Sequence, residues 1–116
     1  MRLVHEPESG AQNILASTVE TADSLVSQAR GLMFRRSIPD DYALAFRFAR
    51  AERRDVHMLF VFFSIDVVWV VDEEVLRVDR LRPWRGFGRE RADLIVELPA
   101  GAADDVEPGD RLRLAE

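Results

Sequence analysis

The two histidines, His5 and His57, are the side chains of this sequence best suited to acid–base chemistry near neutral pH. The 116 residues include no cysteine and no lysine, so all 16 basic residues are arginine. Thiolate catalysis, cysteine-ligated metal sites, a Schiff-base lysine and the lysine of a phosphate-binding P-loop are therefore excluded. Any reaction must use carboxylates, hydroxyl groups or the two imidazoles.

His57 stands near the start of the most apolar stretch of the chain, Val56 to Val71, where a perturbed imidazole could act as a base or bind a metal. The plainer interpretation is a histidine at a strand end with an ordinary hydrogen bond. His5 is close to the chain start, and we expect residues 1–12 to be loose. Two distant histidines without cysteine do not make a histidine-rich zinc site, so we expect no metal and no cofactor.

The carboxylates and glycines show no catalytic spacing, and we assign no catalytic residue. Asp66 and Asp72 are six residues apart, so on a regular strand they share a face at roughly 20 Å, too far for a carboxylate dyad. We expect Asp66 to bind a backbone amide or an arginine, and Asp72 to begin a turn. Gly86-Phe87-Gly88 lacks the third glycine, the following helix and the lysine of a phosphate-binding loop.

The stretch from Arg77 to Arg91 is strongly basic within an acidic chain. It holds six arginines against two acids, a local charge of +4, whereas the whole chain carries −5. With Trp84 and Phe87 interleaved, this strip could bind nucleic acid through phosphate contacts and ring stacking. Because the chain as a whole is acidic, we favour the alternative of a solvated strip paired with neighbouring acids.

The composition predicts one soluble domain over residues 1–116, since 47% of the residues are hydrophobic and 32% are charged. The first residues carry acids instead of the apolar run of a secretory signal, and no apolar stretch is long enough to span a membrane. We therefore expect a cytoplasmic monomer with no membrane partner. The acid excess and the missing lysine fit either salt adaptation, as in a halophile, or arginine-favouring codon usage.

The apolar pattern predicts one helix and several short strands. Ala22, Leu25, Val26 and Ala29 repeat at helical spacing, which predicts a helix over 21–30. We expect Gly31 to end it in the left-handed conformation, with positive φ. Strands are expected at 14–20, 44–48, 58–63, 65–71, 75–81, 94–98 and 111–114, with a loop at 47–55 and a hairpin turn at 72–74. This order predicts a mainly β (β-rich α+β) fold, either an antiparallel sandwich or an open barrel.

Several short motifs occur in an order that resembles a known family. They are Gly31-Leu32-Met33-Phe34-Arg35, Met58, Ile65-Asp66-Val67-Val68-Trp69-Val70-Val71-Asp72, Leu98-Pro99-Ala100-Gly101 and Gly109-Asp110. Over residues 14–114 the chain resembles the domain-of-unknown-function family 192 (DUF192). The resemblance implies a jelly-roll-like β domain with a helix against it and no established activity. Relatives often have a polar residue and asparagine after the methionine, where this chain has Leu59 and Phe60, so no asparagine role carries over.

We expect one binding site where the helix end meets the central strand. Its predicted residues are Met33, Arg35, His57, Met58 and Asp66. Arg35 would bind an anionic group, Asp66 would orient the guanidinium, and His57 would make the affinity change between about pH 5 and 8. The alternative is that the same residues are core plus one salt bridge.

The sequence thus favours a non-enzymatic ligand-binding or accessory module, with a cleft for a small polar or anionic ligand or for a segment of a protein partner. One alternative is a metal-independent enzyme in which His57 or an aspartate is the general acid or base. A second alternative is the binding of nucleic acid or another anionic partner by the Arg77–Arg91 strip.

Overall fold

One continuous β-sheet forms the framework of the molecule in a computed structural model, which describes residues 1–22 and 31–116. Its strands are β1 (Arg2–Glu6), β2 (Asn13–Ala16), β3 (Thr18–Thr21), β4 (Tyr42–His57), β5 (Ile65–Val71), β6 (Glu74–Leu81), β7 (Phe87–Pro99) and β8 (Arg111–Ala115). Their order in the sheet is β2-β1-β8-β6-β5-β7-β4-β3. The predicted mainly β fold is confirmed, whereas the predicted helix over 21–30 falls almost wholly on residues outside the described ranges.

The order of the strands forces the sheet to curl. The two outermost strands, β2 and β3, are separated in the sequence only by Ser17. Because one residue spans only about 3.5 Å, the two edges of the sheet must lie close together. Residues of β1 and β3 do come into contact. The sheet is therefore an open barrel, antiparallel except for the parallel pair β3 and β4.

Side chains alternate across the curled sheet and form two apolar cores. The inner core includes Val68 and Val70 of β5 together with buried residues of six other strands. These are Leu3, Ala16, Ala43, Ala45, Val75, Leu94, Val96, Leu98 and Leu112. The outer core includes Val67 and Trp69 of β5, on the opposite face. Its other buried members include Leu32, Leu44, Phe46, Val56, Met58, Val61, Ile65 and Ile95. Because β5 is covered on both faces, its sequence is an almost unbroken apolar run.

Residues 47–55, which the sequence predicts as a loop, belong to the long strand β4. The strand pairs with β7 on both sides of an irregularity between Arg47 and Glu52. Arg54 bridges it, since Nε donates to the carbonyl oxygen of Ala92 and Nη2 donates to that of Arg50, both at 2.9 Å. The loop prediction was wrong because most of these side chains face solvent, so their polarity does not prevent strand pairing.

Residues 58–63, which the sequence predicts as a core strand, form a loop. The N–H of Val61 donates to the carbonyl oxygen of Met58 at 3.0 Å and closes a turn. Met58 and Val61 are buried, whereas Leu59, Phe60 and Phe62 are exposed. The strand prediction was wrong because an apolar composition does not reveal which side chains reach the core.

The start of the chain, expected to be loose, contains an inner strand of the sheet. Strand β1 pairs with β2 and β8, and His5 is 1% exposed. His5 Nε2 lies 2.8 Å from Asp110 Oδ2, and Asp110 also accepts hydrogen bonds from the N–H groups of Glu8 and Glu107. Burial by itself would raise the pKa of Asp110, but these hydrogen bonds outweigh burial and lower it.

Asp66 ties the start of β5 to the turn after β7. Its buried carboxylate accepts hydrogen bonds from the N–H groups of Gly101 and Ala103, both at 3.0 Å, and from Arg80 Nε at 2.9 Å. The expectation that Asp66 binds a backbone amide or an arginine is confirmed. Asp72 begins the β5–β6 hairpin turn as expected, with positive φ at Asp72 and Glu73, the backbone form of a two-residue hairpin loop.

We predict that Asp66→Ala lowers the free energy of unfolding by about 3 kcal/mol, because it leaves two backbone N–H groups without their acceptor in a buried place. Urea denaturation measures the change. Asp104→Ala is the matched control, since Asp104 is also a partner of Arg80 but is exposed. Equal effects of the two substitutions would contradict the role assigned to Asp66.

Candidate functional site

A pocket of about 450 Å³ opens on the outer face of the sheet. Its apolar lining consists of Leu32, Met33, Phe46, Phe48, Val56, Val61, Ile65 and Ile95. Gly31 and the polar residues Arg53, Arg54, Asp55, His57 and Glu97 complete the lining. A concave, mainly apolar surface of this volume with a few polar groups is typical of a small-molecule site.

Side chains of the paired strands β4 and β7 form the floor of this pocket. Phe46 pairs with Ile95, and Leu44 pairs with Glu97. Residues two apart on a strand share a face, so Ile95 and Glu97 both point to the outer face of the sheet. The floor therefore lies on the paired strands β4 and β7.

Glu97 is the unusual residue of the pocket. Its side chain lies in an apolar setting and the residue is 6% exposed. The carboxyl group makes no hydrogen bond and no ion pair with residues 1–22 or 31–116. Burial raises the pKa of Glu97 to about 7, although the positive charge of Arg35 acts in the opposite direction. A buried carboxyl group without a partner has full hydrogen-bonding capacity left for a ligand.

Gly31 brings backbone close to this carboxyl group. Its φ is +50°, a conformation that glycine adopts without strain. The sequence expectation of a glycine in this conformation at position 31 agrees with the structure. A Cβ placed on Gly31 would lie 3.5 Å from Phe46 Cζ and 3.7 Å from Glu97 Oε1, which are ordinary contacts. Space therefore does not exclude alanine at this position, and only the backbone conformation opposes it.

The rim of the pocket is charged and internally paired. The guanidinium of Arg54 lies 3.5 Å from the ring centroid of Phe48. Asp55 Oδ2 accepts a hydrogen bond from Arg89 Nη2 at 3.0 Å, and this pairing lowers the pKa of Asp55. His57 Nδ1 accepts a hydrogen bond from the N–H of Leu59 at 3.3 Å, so Nε2 carries the proton in the neutral imidazole. Within the described ranges, no three His, Asp or Glu side chains converge as metal ligands.

The structure brings together only some of the five predicted site residues. Met33 and His57 line the pocket, and Met58 is fully buried in the outer core. Arg35 is absent from the lining; its Nη1 lies 3.5 Å from Glu20 Oε1. Asp66 faces the opposite side of the sheet from its neighbours Ile65 and Val67, so it does not orient Arg35 and instead pairs with Arg80.

Sequence reasoning missed Glu97, although the sequence contains a signal. Glu97 is a single acid within the apolar run Leu94-Ile95-Val96-Glu97-Leu98. An ionisable residue inside a strand that is buried on both faces is costly unless it has a partner or a function. The spacing of acids and histidines could not reveal it, because its neighbours in the pocket come from distant parts of the chain.

The Arg77–Arg91 strip is divided by the fold. Arg77 pairs with Asp79, Arg80 pairs with Asp66 and Asp104, and Arg89 pairs with Asp55. Arg82, Arg85 and Arg91 form no ion pair with the described part of the chain. Half of the strip is thus neutralised by neighbouring acids, as the alternative to nucleic-acid binding predicts.

The fold and the pocket together define a small β domain with one candidate ligand site. The family model DUF192, described as "Uncharacterized ACR, COG1430", matches residues 6–114. The chain belongs to this family, and the resemblance seen in the sequence is confirmed. No helix long and apolar enough to cross a membrane is present in residues 1–22 or 31–116.

Three relatives resemble the chain over most of its length. UPF0127 protein PH1112 of Pyrococcus horikoshii is 35% identical over 101 residues, which cover 82% of this chain and 85% of that protein. A proposed transcription regulator from Sinorhizobium meliloti 1021 superimposes with a TM-score of 0.85 at 25% identity, covering 97% of this chain and 91% of the other. A protein of unknown function from Novosphingobium aromaticivorans has a TM-score of 0.84 at 20% identity, covering 98% and 84%.

We predict that Gly31→Ala lowers the free energy of unfolding by about 1 kcal/mol, because alanine is strained at this φ. Gly10→Ala is the matched control: Gly10 lacks a positive φ, and a Cβ there would meet Pro7 at 3.4 Å. Urea denaturation measures both variants. If Gly31→Ala proves as stable as the wild type, the conformational argument fails.

Glu97 should also make stability depend on pH. Its pKa of about 7 in the folded state exceeds the ordinary value of 4.5, so the folded protein binds the proton more tightly than the unfolded chain. The stabilisation is complete below about pH 4.5 and is lost as the pH rises through 7, by up to about 3 kcal/mol.

Urea denaturation from pH 4 to 8 measures this effect as the difference between the wild type and Glu97→Gln. The lowered pKa values of Asp55 and Asp110 affect both proteins equally and cancel in the difference. Parallel pH profiles for the two proteins would show that Glu97 has an ordinary pKa.

Proposed function

We propose that this domain is a binding module for a small, mainly apolar ligand that donates a hydrogen bond to Glu97. The observation that carries the proposal is the carboxyl group of Glu97, which has no hydrogen-bond partner among the described residues and lies in an apolar pocket of about 450 Å³. An amine, amide or hydroxyl group of a ligand would supply the missing donor, and the apolar lining would bury the rest of the ligand.

Of the two kinds of ligand expected from the sequence, a polar uncharged ligand fits the pocket better than an anionic one. Its buried ionisable group is an acid, and an anion would meet repulsion once Glu97 is ionised. Arg35, expected to hold an anionic group, lies beside Glu20 and Tyr42 instead. The arginines of the lining, Arg53 and Arg54, lie in the terminal part of β4 and not next to Glu97 in the strand register.

A second candidate function is acid–base catalysis. A carboxyl group with a pKa near 7 can both donate and accept a proton at neutral pH, which is the requirement for a general acid or base. His57 lines the same pocket, so an imidazole and the buried carboxyl group of Glu97 border one cavity. Glu97 replaces the aspartate that the sequence suggested for such an enzyme.

The test is a fragment screen followed by ¹H–¹⁵N NMR of the labelled protein. Each fragment is included in two versions, one with a hydrogen-bond donor and one without it. We expect the bound fragments to carry a donor and to shift the amide signals of the pocket lining. Glu97→Leu should weaken their binding at least about tenfold, which corresponds to 1.4 kcal/mol, a common loss for one hydrogen bond. Glu74→Leu, which alters an exposed acid on β6, is the matched control.

Two results would contradict the binding module: no fragment shifts the lining signals, or anionic fragments bind best. The same NMR samples distinguish the catalytic alternative, because an enzyme would convert a bound fragment into a new compound over hours. Conversion that is absent in Glu97→Gln would favour the enzyme.

A further inference from the structure

Four exposed aromatic rings form a continuous surface near the pocket. The ring centroids of Phe34 and Phe60 are 5.0 Å apart, those of Phe60 and Trp84 are 5.1 Å apart, and those of Phe62 and Trp84 are 5.6 Å apart. Each of the four residues is between 41% and 55% exposed. We name these four residues the aromatic platform. Grouped apolar side chains in water usually mark a surface that another molecule covers.

Two residues of the platform stand where glycine is the usual residue. The N–H of Arg35 donates to the carbonyl oxygen of Leu32, and the N–H of Val61 donates to that of Met58, so each pair closes a four-residue turn. Phe34 and Phe60 are the third residues of these turns, with φ of 68° and 60°. This position with positive φ favours glycine or asparagine, and a phenylalanine there is strained.

Trp84 is strained in the same way. The N–H of Arg85 donates to the carbonyl oxygen of Pro83 at 2.7 Å, which makes Trp84 the centre of a three-residue turn with φ of 66°. Backbone hydrogen bonds hold the three turns together. The N–H of Phe34 donates to the carbonyl oxygen of Phe60 at 2.8 Å, and the N–H of Trp84 donates to that of Val61 at 3.2 Å. The backbone that carries the rings is thus held by its own hydrogen bonds.

Folding does not explain these three aromatic residues. Glycine would suit their backbone better, and about half of each side chain remains in water. Strained residues persist where a function requires their side chains, so the strain supports a binding role for the platform.

The surroundings of the platform carry positive charge. Residues 31–38, 57–64 and 81–89 contain five arginines and no aspartate or glutamate, in a chain of net charge −5. Arg35 and Arg89 are paired with Glu20 and Asp55. Arg36, Arg82 and Arg85 are exposed and form no ion pair within residues 1–22 or 31–116. These three guanidinium groups are therefore available for carboxylates of a partner.

We propose that the aromatic platform binds an acidic segment of a partner protein, in which carboxylates alternate with large apolar side chains. Apolar side chains of the segment would cover the rings, and its carboxylates would pair with Arg36, Arg82 and Arg85. The path through the four ring centroids is roughly 15 Å long, so at most about five extended residues, at 3.3 Å per residue, would cover it. The platform lies outside the pocket, so this proposal does not depend on the pocket binding a ligand.

The number of free arginines favours a protein segment over larger polyanions. Recognition of an anionic membrane generally uses about four to eight clustered basic residues, more than the three available here. Nucleic-acid affinity likewise grows with the number of neutralised phosphates, and the net negative charge of the chain opposes it. Two or three carboxylates on a short segment match three guanidinium groups.

The test is a selection of random 12-residue peptides displayed on phage against the full chain. We expect the enriched peptides to combine Asp or Glu with Leu, Phe or Trp. A fluorescein-labelled copy of the most enriched peptide should bind at least tenfold more weakly to Trp84→Gly, Phe60→Gly and Arg82→Glu. Ile14→Ser and Arg50→Glu are the matched controls, since they alter an exposed apolar residue and an exposed arginine outside the three segments.

The glycine variants also separate binding from folding. Glycine relieves the strain at positive φ but gives up the buried half of the ring, so the two effects offset each other. Phe60→Gly and Trp84→Gly should therefore melt close to the wild-type temperature. A clearly lower melting temperature for both would assign the rings a structural role and overturn the proposal.

Three further results would also overturn it: no enrichment of peptides, enriched peptides without carboxylates, or binding that the platform variants leave unchanged. Three measurements test the other occupants. Vesicles of phosphatidylcholine and phosphatidylglycerol test a membrane, a labelled oligothymidylate tests nucleic acid, and sedimentation velocity tests a second copy of the chain. Binding to vesicles or oligonucleotide that Arg82→Glu abolishes, or a dimer that Trp84→Gly dissociates, would assign the platform to that occupant instead.

Discussion

The link of one residue between β2 and β3 is the constraint on which the rest of the structure depends. These strands are the opposite edges of one sheet, and Ser17 alone separates them in the chain. The sheet must therefore curl, and curling gives it an inside and an outside. The inner face closes on small and branched apolar residues from nearly every strand. The outer face keeps larger residues, and there the pocket and the aromatic platform lie.

Among residues 1–22 and 31–116, three carboxyl groups are buried, and their partners distinguish structure from function. Asp66 and Asp110 each accept several hydrogen bonds that connect distant parts of the chain. Glu97 has no such partner within the described residues and lies on the pocket floor. An ionisable group in an apolar pocket is costly, so the position of Glu97 supports the proposed ligand or proton-transfer role. The pattern of satisfied and unsatisfied carboxyl groups is the main reason for assigning a function to the pocket.

The two turns that carry Phe34 and Phe60 serve both surfaces. Met33 and Val61 of these turns line the pocket, whereas the adjacent rings face solvent. A turn can present neighbouring side chains in opposite directions because its central residues differ in φ, and the positive φ of Phe34 and Phe60 is part of that reversal. The pocket wall and the platform are therefore built from the same backbone.

The sequence by itself determined the features that depend on local pattern. The alternation and valine-rich runs of β5 and β6, the turn at Asp72, the positive φ at Gly31 and the family membership could all be read from adjacent residues. The sequence could not show that residues 47–55 form a strand or that residues 58–63 form a loop. The polarity of a side chain indicates its exposure, whereas strand pairing depends on a partner strand that is distant in the chain. Of the predicted site, Met33 and His57 lie in the pocket, but Asp66 does not, since one step along β5 changes the face of the sheet. Only the tertiary structure placed Glu97 under Gly31 and joined Phe34, Phe60 and Trp84, because these contacts form between segments that are remote in the chain.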